Sequence, residues 1–333
     1  MIIENILIYA LNMAFGCVGA LFVARFAYMV GLIDRPNGRS SHLAPTPKGG
    51  AIGILIGFLV TAAYLDLSFC FWFPTGFLSV VSLLGDRYDI APKVRFWIQF
   101  SCALIFLVGL FNLKNIHFLS FCLVLPLAVF ITGTSNFYNF MDGINGIAGI
   151  TGVVGFFLLM NFGILTDADS KYVAISIAIT CSCLGFLPYN IPKAKVFMGD
   201  VGSILLGFVF ACLVVILSRS FLDFICLAGF LFPFYADELT TMFVRIKAGE
   251  SLSKPHRRHL YQILANECGI DHWKISAGYG VVQLIIGIVL IASRTEWNVV
   301  LVFLILCFLV FSLVSLLFRR HATYGYVAQI GVK

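Results

Sequence analysis

Charged residues are scarce in this 333-residue chain: Asp, Glu, Lys and Arg together make 11% of it. That is about half the share of an ordinary soluble domain. With 60% hydrophobic residues, the polar surface is too small to cover a core of this size in water, which excludes a soluble globular protein. Repeated apolar runs of roughly 18 residues or more, each able to cross about 30 Å of hydrocarbon as a helix, account for the surplus. The 34 Phe fit the same environment. A long soluble domain, a low-complexity tract and an internal repeat are all missing. So is a cysteine signature. Of the ten Cys, Cys17, Cys102, Cys122, Cys212 and Cys307 lie inside apolar runs, and Cys181 and Cys183 point away from each other on a helix. They read as small packing residues. Basic residues are also missing where a signal peptide needs them: Glu4 stands there, and Ile2 to Val30 is too long for a signal core. A retained helix is expected. No basic stripe lies on a soluble domain, so nucleic acid is not an expected partner.

What is present is an all-α integral membrane protein, a single polytopic domain over residues 1–333. About eleven transmembrane helices are expected, near 3–30, 50–67, 69–85, 96–113, 117–135, 146–165, 172–190, 201–218, 221–244, 275–293 and 297–318. The third looks short, and the ninth is interrupted by Pro233, Asp237 and Glu238. Lys and Arg crowd one set of loops, including Arg35, Lys48, Arg87, Arg95, Lys193, Arg245, Arg258 and Arg319. The other set holds only Lys114, Lys171, Arg219 and Arg294. The positive-inside rule makes the first set cytoplasmic, with the N-terminus periplasmic and the C-terminus cytoplasmic. The net charge of +6 is thus concentrated on one face, which attracts the bilayer's anionic headgroups and phosphorylated substrates.

Five cytoplasmic loops, about 31–49, 86–95, 136–146, 190–203 and 245–274, hold more than topology requires. The first runs from Asp34 through Ser40-Ser41-His42 to Lys48-Gly49-Gly50; it is a site element or an ordinary basic loop. In the second, Asp86 and Asp89 share a face if helical, and either hold a hard cation or pair with Arg87 and Lys93. In the third, Asn136, Asn139, Asp142 and Asn145 recur every three residues between two apolar spans. Such a ladder is costly beside lipid unless it lines a cavity, although hydrogen-bonded helix packing is the alternative. Gly143 and Gly146 permit a backbone break there. The fourth places Asn190 ahead of Gly199-Asp200-Val201-Gly202-Ser203, where Asp200 either caps a helix or marks amides that face phosphate. The fifth carries Pro255-His256-Arg257-Arg258-His259, a diphosphate contact or a solvated basic run; zinc is disfavoured because no Cys stands at ligand spacing. Carboxylates for Mg²⁺, cations for phosphate and glycines for close approach together suit phosphoryl transfer. The rival classes are a lipid-linked sugar flippase or transporter, which would carry its ionisable residues within the spans, and a lipid-phosphate phosphatase, whose motif is absent.

The order of these loops resembles the polyprenyl-phosphate N-acetylhexosamine-1-phosphate transferases, glycosyltransferase family 4, from Asp34 to His259. The specific matches are Asn139-Phe140-Met141-Asp142-Gly143, Val196 to Ser203 and His256 to Gln262. The first loop and the Pro-His-Arg-Arg-His run look closest to the O-antigen-initiating branch. The resemblance implies an eleven-span enzyme of the bacterial inner membrane with its active site on the cytoplasmic face. It implies transfer of a sugar-1-phosphate from a UDP-N-acetylhexosamine to undecaprenyl phosphate, release of UMP, and Mg²⁺ or Mn²⁺ as cofactor; a homodimer is left open. By position it implies Asp200 and Asp142 at the metal, and Asp86, Asp142, His256 and His259 as catalytic residues. Asn139, Asn145, Asn190, Arg257, Arg258, Lys48 and Asp89 are then substrate-binding. Two positions depart from the family pattern: Gly85 and Asn145 stand where Asp is usual.

Overall fold

The computed structural model describes residues 5–36, 41–42, 44–88, 90–111, 118–252 and 256–330, with no side-chain description at 118–121 and 321–330. Thirteen α-helices and one two-residue β-pair make up the described chain apart from short 3₁₀ turns. In order the helices are α1 (Ile6–Val30), α2 (Ile52–Tyr64), α3 (Phe69–Arg87), α4 (Pro92–Phe111), α5 (Phe118–Phe140), α6 (Ile147–Leu165), α7 (Ser170–Phe186), α8 (Asp200–Leu217), α9 (Phe221–Ala228), α10 (Phe232–Lys247), α11 (Leu260–Asn266), α12 (His272–Ala292) and α13 (Trp297–Ile330).

Every expected apolar segment is helical. Among the described residues nine helices are long and apolar enough to cross a membrane. The two segments outside that set are instructive. The second forms a helix of only 13 residues, so it is this one that is short, while the third makes 19. The ninth breaks: α9 ends at Ala228, Gly229–Leu231 form a 3₁₀ turn, and α10 restarts with Pro233 in its first turn. Proline is tolerated there because the first-turn N–H groups have no helical acceptor. The chain is therefore a multi-pass α-helical membrane protein.

At the centre stands α8, with 83% of its apolar window buried. Around it pack α3, α5, α6 and α2, while α1 leans on α7 and α2, and α12 on α6. Apolar side chains on the outer helices face outward, as along α13 from Val299 to Leu317. In lipid such a surface carries no penalty.

One end of the bundle gathers the polar loops. After α1 the strand β1 (Ile33–Asp34) pairs antiparallel with β2 (Thr46–Pro47). Lys48 then bridges in parallel to Phe197. The amides of Gly50 and Ala51 donate to the carbonyls of Phe197 and Met198 at 2.9 and 3.2 Å. The loop before α2 is thus stitched to the loop before α8.

Candidate active site

The loop ends enclose a cleft of about 350 Å³ lined by Asp34, Ser41, His42, Lys48, Asp86, Asn139, Asp142, Gly143, Ile144, Asn190, Phe197, Gly199, Asp200, His256 and Gln262. Its residues come from all five loops named from the sequence.

The geometry centres on the start of α8. Asp200 is the first residue of that helix and Gly199 precedes it at φ 78°. A Cβ at Gly199 would stand 2.7 Å from the Gly49 amide nitrogen and 2.9 Å from an Asp86 oxygen. Only glycine permits both the backbone angle and the approach. The Asp200 side chain does not cap its own helix. One oxygen receives the Arg95 guanidinium at 2.7 Å, and the other accepts from Asn139 Nδ2 at 2.8 Å, which also donates to Ser203 Oγ at 2.9 Å.

Asp86, at the end of α3, is nearly buried. Its Oδ1 pairs with Lys48 Nζ at 3.2 Å, and its Oδ2 accepts the Asp200 backbone N–H at 3.0 Å. Both oxygens are committed, one to a cation from the first loop and one to the positive end of α8. The pairing with Arg87 or Lys93 considered from sequence is not what holds it. Asp89 lies outside the described residues.

The third loop breaks the helix as its glycines suggested: α5 stops at Phe140 and α6 begins at Ile147, with Gly146 at φ 88°. Its polar ladder divides into two uses. Asn136 donates to Gln99 Oε1 and to the Thr132 carbonyl, so it joins α4 to α5 as a packing contact. Asn139 and Asp142 line the cleft. Asn145, expected to bind substrate, is not among the cleft walls; it donates to the Pro192 carbonyl at 3.3 Å. Asn190 accepts from the Gly146 amide at 2.6 Å and donates to the Val196 carbonyl at 2.9 Å, which ties the third loop to the fourth.

The Asp142 side chain makes no hydrogen bond or ion pair with the described residues, although it is packed inside the protein with an edge on the cleft. Burial, followed by the negative charges of Asp200 and Asp86, pushes its pKa well above the usual carboxylate range. This is an oxygen-donor, charge-crowded site short of positive charge. It suits a hard cation held by one or two carboxylates and completed by substrate phosphates. Among the described residues no three His, Cys, Asp or Glu already stand as a preformed metal cage, so substrate oxygens would have to complete the coordination. By donor chemistry alone, the carboxylates Asp142 and Asp200 are of the kind that Mg²⁺ or Mn²⁺ takes.

The histidine loop splits. His256 lines the cleft, and its pKa is pushed down to about 4 by burial and by the charges of His259, Arg245 and Arg258. It is therefore neutral at neutral pH. His259 turns inward and is 3% exposed, 3.7 Å from Asp237 and 3.4 Å from Glu238. It is not a cleft residue. Neither are Arg257 and Arg258, which pair with Glu267 at 3.1 Å and Glu250 at 2.6 Å. Local carboxylates hold both guanidiniums away from the cavity.

Several residues enter the site to which the sequence pattern assigns no role: Arg95, Ser203 and Gln262, with Asp34, Ser41 and His42 from the first loop. His42 packs edge-on against Phe197 with ring centroids 4.9 Å apart. A signal existed for Arg95. It stands in the first turn of α4, where a cation opposes the helix dipole unless a carboxylate answers it.

Comparison with known proteins identifies the family. Glycosyl transferase family 4 matches residues 68–218, which include Asp86, Asp142 and Asp200. The chain is 30% identical over 271 residues to the undecaprenyl-phosphate alpha-N-acetylglucosaminyl 1-phosphate transferase of Haemophilus influenzae, covering 75% of this chain and 76% of the relative. It is 28% identical over 259 residues to the protein of the same name from Thermotoga maritima, covering 75% and 77%. With the decaprenyl-phosphate N-acetylglucosaminephosphotransferase of Mycobacterium tuberculosis it shares 27% over 322 residues, covering 82% and 78%. By its motifs, its cleft and these relatives, the chain belongs to glycosyl transferase family 4.

Proposed function

We propose that this protein transfers an N-acetylhexosamine-1-phosphate from a UDP-sugar to undecaprenyl phosphate in the bacterial inner membrane, releasing UMP and starting an O-antigen or related cell-envelope glycan. The observation that carries the reading is the meeting of Asp86, Asp142, Asp200, Lys48 and His256 in one cleft at one end of an apolar bundle. The relatives' names supply the polyprenyl phosphate acceptor and make N-acetylglucosamine the first sugar to test. The Lys and Arg bias supports a cleft on the cytoplasmic face, where UDP-sugars are made. In this reading the short α2 and the broken α9–α10 segment complete eleven crossings.

The step is a direct displacement. A phosphate oxygen of the lipid bonds to the β-phosphorus of the UDP-sugar. The bond from that phosphorus to the bridging oxygen breaks, and the electron pair leaves on UMP. A lipid monophosphate is largely ionised at neutral pH, since its second pKa is about 6. No base is required of Asp86, whose two oxygens are already engaged. Its work is to hold Lys48 and the α8 terminus in place, so that Lys48 faces the incoming phosphate. Asp142 and Asp200 are the residues that would hold Mg²⁺ or Mn²⁺, which neutralises diphosphate charge when bound. Neutral His256 offers an N–H to a phosphate oxygen without adding a cation. Arg95 and Asn139, the latter also bonded to Ser203, hold the two oxygens of the Asp200 carboxylate. Fixing charged groups before reaction is the main way a protein accelerates phosphoryl transfer.

Purified protein given labelled UDP-N-acetylglucosamine, undecaprenyl phosphate and Mg²⁺ should form labelled lipid and UMP in equal amounts. Rapid UMP release without the lipid would instead indicate a covalent phosphosugar on an Asp.

A further inference from the structure

Behind the cleft lies a second carboxylate cluster that the proposed chemistry does not use. Asp237 on α10 is 0% exposed. Its Oδ1 accepts the Leu260 backbone N–H at 2.8 Å and the Thr241 hydroxyl at 3.2 Å. Its Oδ2 accepts the Tyr261 N–H at 3.3 Å and the Tyr279 hydroxyl from α12 at 2.7 Å. Four donors from three helices thus meet on one carboxylate. Arg319 on α13 donates to Thr241 at 2.8 Å and also to the Arg258 carbonyl. The segment Arg258 to Tyr261 is held by these contacts, and none of the groups making them lines the cleft.

The neighbours of that segment do. His256 and Gln262 are cleft walls. Gln262 also folds back to accept the His259 N–H at 3.3 Å. Tyr261 reaches further: its hydroxyl donates to the Phe140 carbonyl at 3.1 Å. It lies so close to Gly143 that a Cβ there would stand 2.2 Å from that oxygen. Whatever sets the position of Tyr261 therefore sets the turn that carries Asp142.

We infer that Asp237 is a positioning residue for the transfer reaction: it anchors the first turn of α11, and through that turn it places His256, Gln262 and the Asp142 turn around the donor diphosphate. The chemistry of the anchor requires a carboxylate. A buried charge is tolerated only when its lone pairs are filled, and here four donors fill them. Asparagine would present one acceptor oxygen and an NH₂ that opposes a backbone N–H. This inference rests on the transferase reading of the cleft.

The test compares wild type, Asp237→Asn and Tyr279→Phe in detergent by two measurements. The first is amide hydrogen exchange over residues 256–266. The second is steady-state UMP release with UDP-N-acetylglucosamine and undecaprenyl phosphate varied in turn. In Asp237→Asn, exchange at Leu260 and Tyr261 should quicken while α1 to α8 keep their protection. The value of kcat/KM for the UDP-sugar should fall by about 10–100-fold, the range for misplacing a reacting group through its support. The KM for the lipid should stay within about twofold. Tyr279→Phe, which removes one hydroxyl and keeps the ring, should shift the same parameters less, and it decides the question if Asp237→Asn does not fold. Unchanged exchange and kinetics in both variants would overturn the inference, as would a uniform loss of protection across the chain in Tyr279→Phe. A wild-type protein that releases no UMP would overturn the transferase reading instead, and exchange alone would then judge the anchor.

Discussion

The protein holds two carboxylate clusters about one histidine loop, and they are built on opposite terms. Asp86, Asp142 and Asp200 face a cleft, and the partners found there, Lys48, Arg95 and Asn139, come from separate loops and helices. The Asp142 carboxyl has no partner among the described residues, and its pKa is raised by burial and by its two negative neighbours. Asp237 and Glu238 are sealed, and both oxygens of Asp237 are met by hydrogen-bond donors. The first cluster leaves the Asp142 carboxyl without a donor where a ligand can reach it; in the second, backbone amides and hydroxyls meet both oxygens of Asp237, and among the described residues Glu238 has only His259, at 3.4 Å. A carboxylate side chain left without a hydrogen bond beside a cavity is the mark of a site, and one whose two oxygens are both met by donors in the interior, as those of Asp237 are, is the mark of a support.

Breaking the open cluster should cost activity and spare the fold. Asp200→Asn is expected to lower kcat by about 100–1000-fold, the scale for losing one preorganised electrostatic contact. Excess Mg²⁺ should restore little, and the thermal midpoint should change little; UMP release and a melting scan in detergent read both. Breaking the closed cluster should do the reverse in stability. Asp237→Ala leaves the Leu260 and Tyr261 amides and the Tyr279 hydroxyl without their acceptor, at about 1–3 kcal/mol for each unsatisfied buried group. Its melting midpoint should fall well below that of Asp200→Asn. Equal midpoints would erase the distinction between the clusters.

The two histidines sharpen the comparison. His256 drops from an ordinary value near 6.5 to about 4 through burial first and neighbouring positive charge second. Between those values the unfolded chain binds more protons than the folded one. Stability from this group is therefore fully present above about pH 6.5 and is lost as pH falls through about 4. In His256→Gln the decline of the melting midpoint from pH 6.5 to 4 should be shallower than in wild type, while activity at pH 7 falls. An unaltered pH profile would place His256 in a different environment from the one described.

The smallest effect belongs to Gly85. A Cβ there would meet Arg95 and Ile90 carbon atoms at 3.8 Å, ordinary contact. Gly85→Asp should fold, with stability within about 1 kcal/mol of wild type. Replacing a helical glycine helps by about as much as an acid in the last helical turn harms. Its kcat reports whether a carboxylate beside Arg95 competes with Asp200; a rise would show that the native glycine limits the enzyme.

Much of this was legible in the sequence because lipid imposes simple rules. Apolar run length located each expected helix, and Pro233 marked the break in the ninth segment. The glycines around Asp142 and Asp200 marked real backbone exceptions. What stayed hidden is pairing at long range. Arg95 and Asp200 are 105 residues apart, and no local period joins them. Nor does spacing tell His256 from His259, three positions away. The burial of His259 follows from Asp237 and Glu238 on another helix, and the outward turn of Arg257 and Arg258 follows from Glu267 and Glu250. The Asn ladder misleads for the same reason: Asn136 belongs to the ladder by sequence but finds Gln99 before it reaches the cleft.

The most direct test of the central claim is the acceptor dependence of UMP release by the purified protein with UDP-N-acetylglucosamine and Mg²⁺. Release that requires undecaprenyl phosphate, matches labelled lipid mole for mole and vanishes in Asp200→Asn is the expected result. Labelled lipid that fails to form with any UDP-N-acetylhexosamine, from a protein that is folded and membrane-reconstituted, would contradict the account.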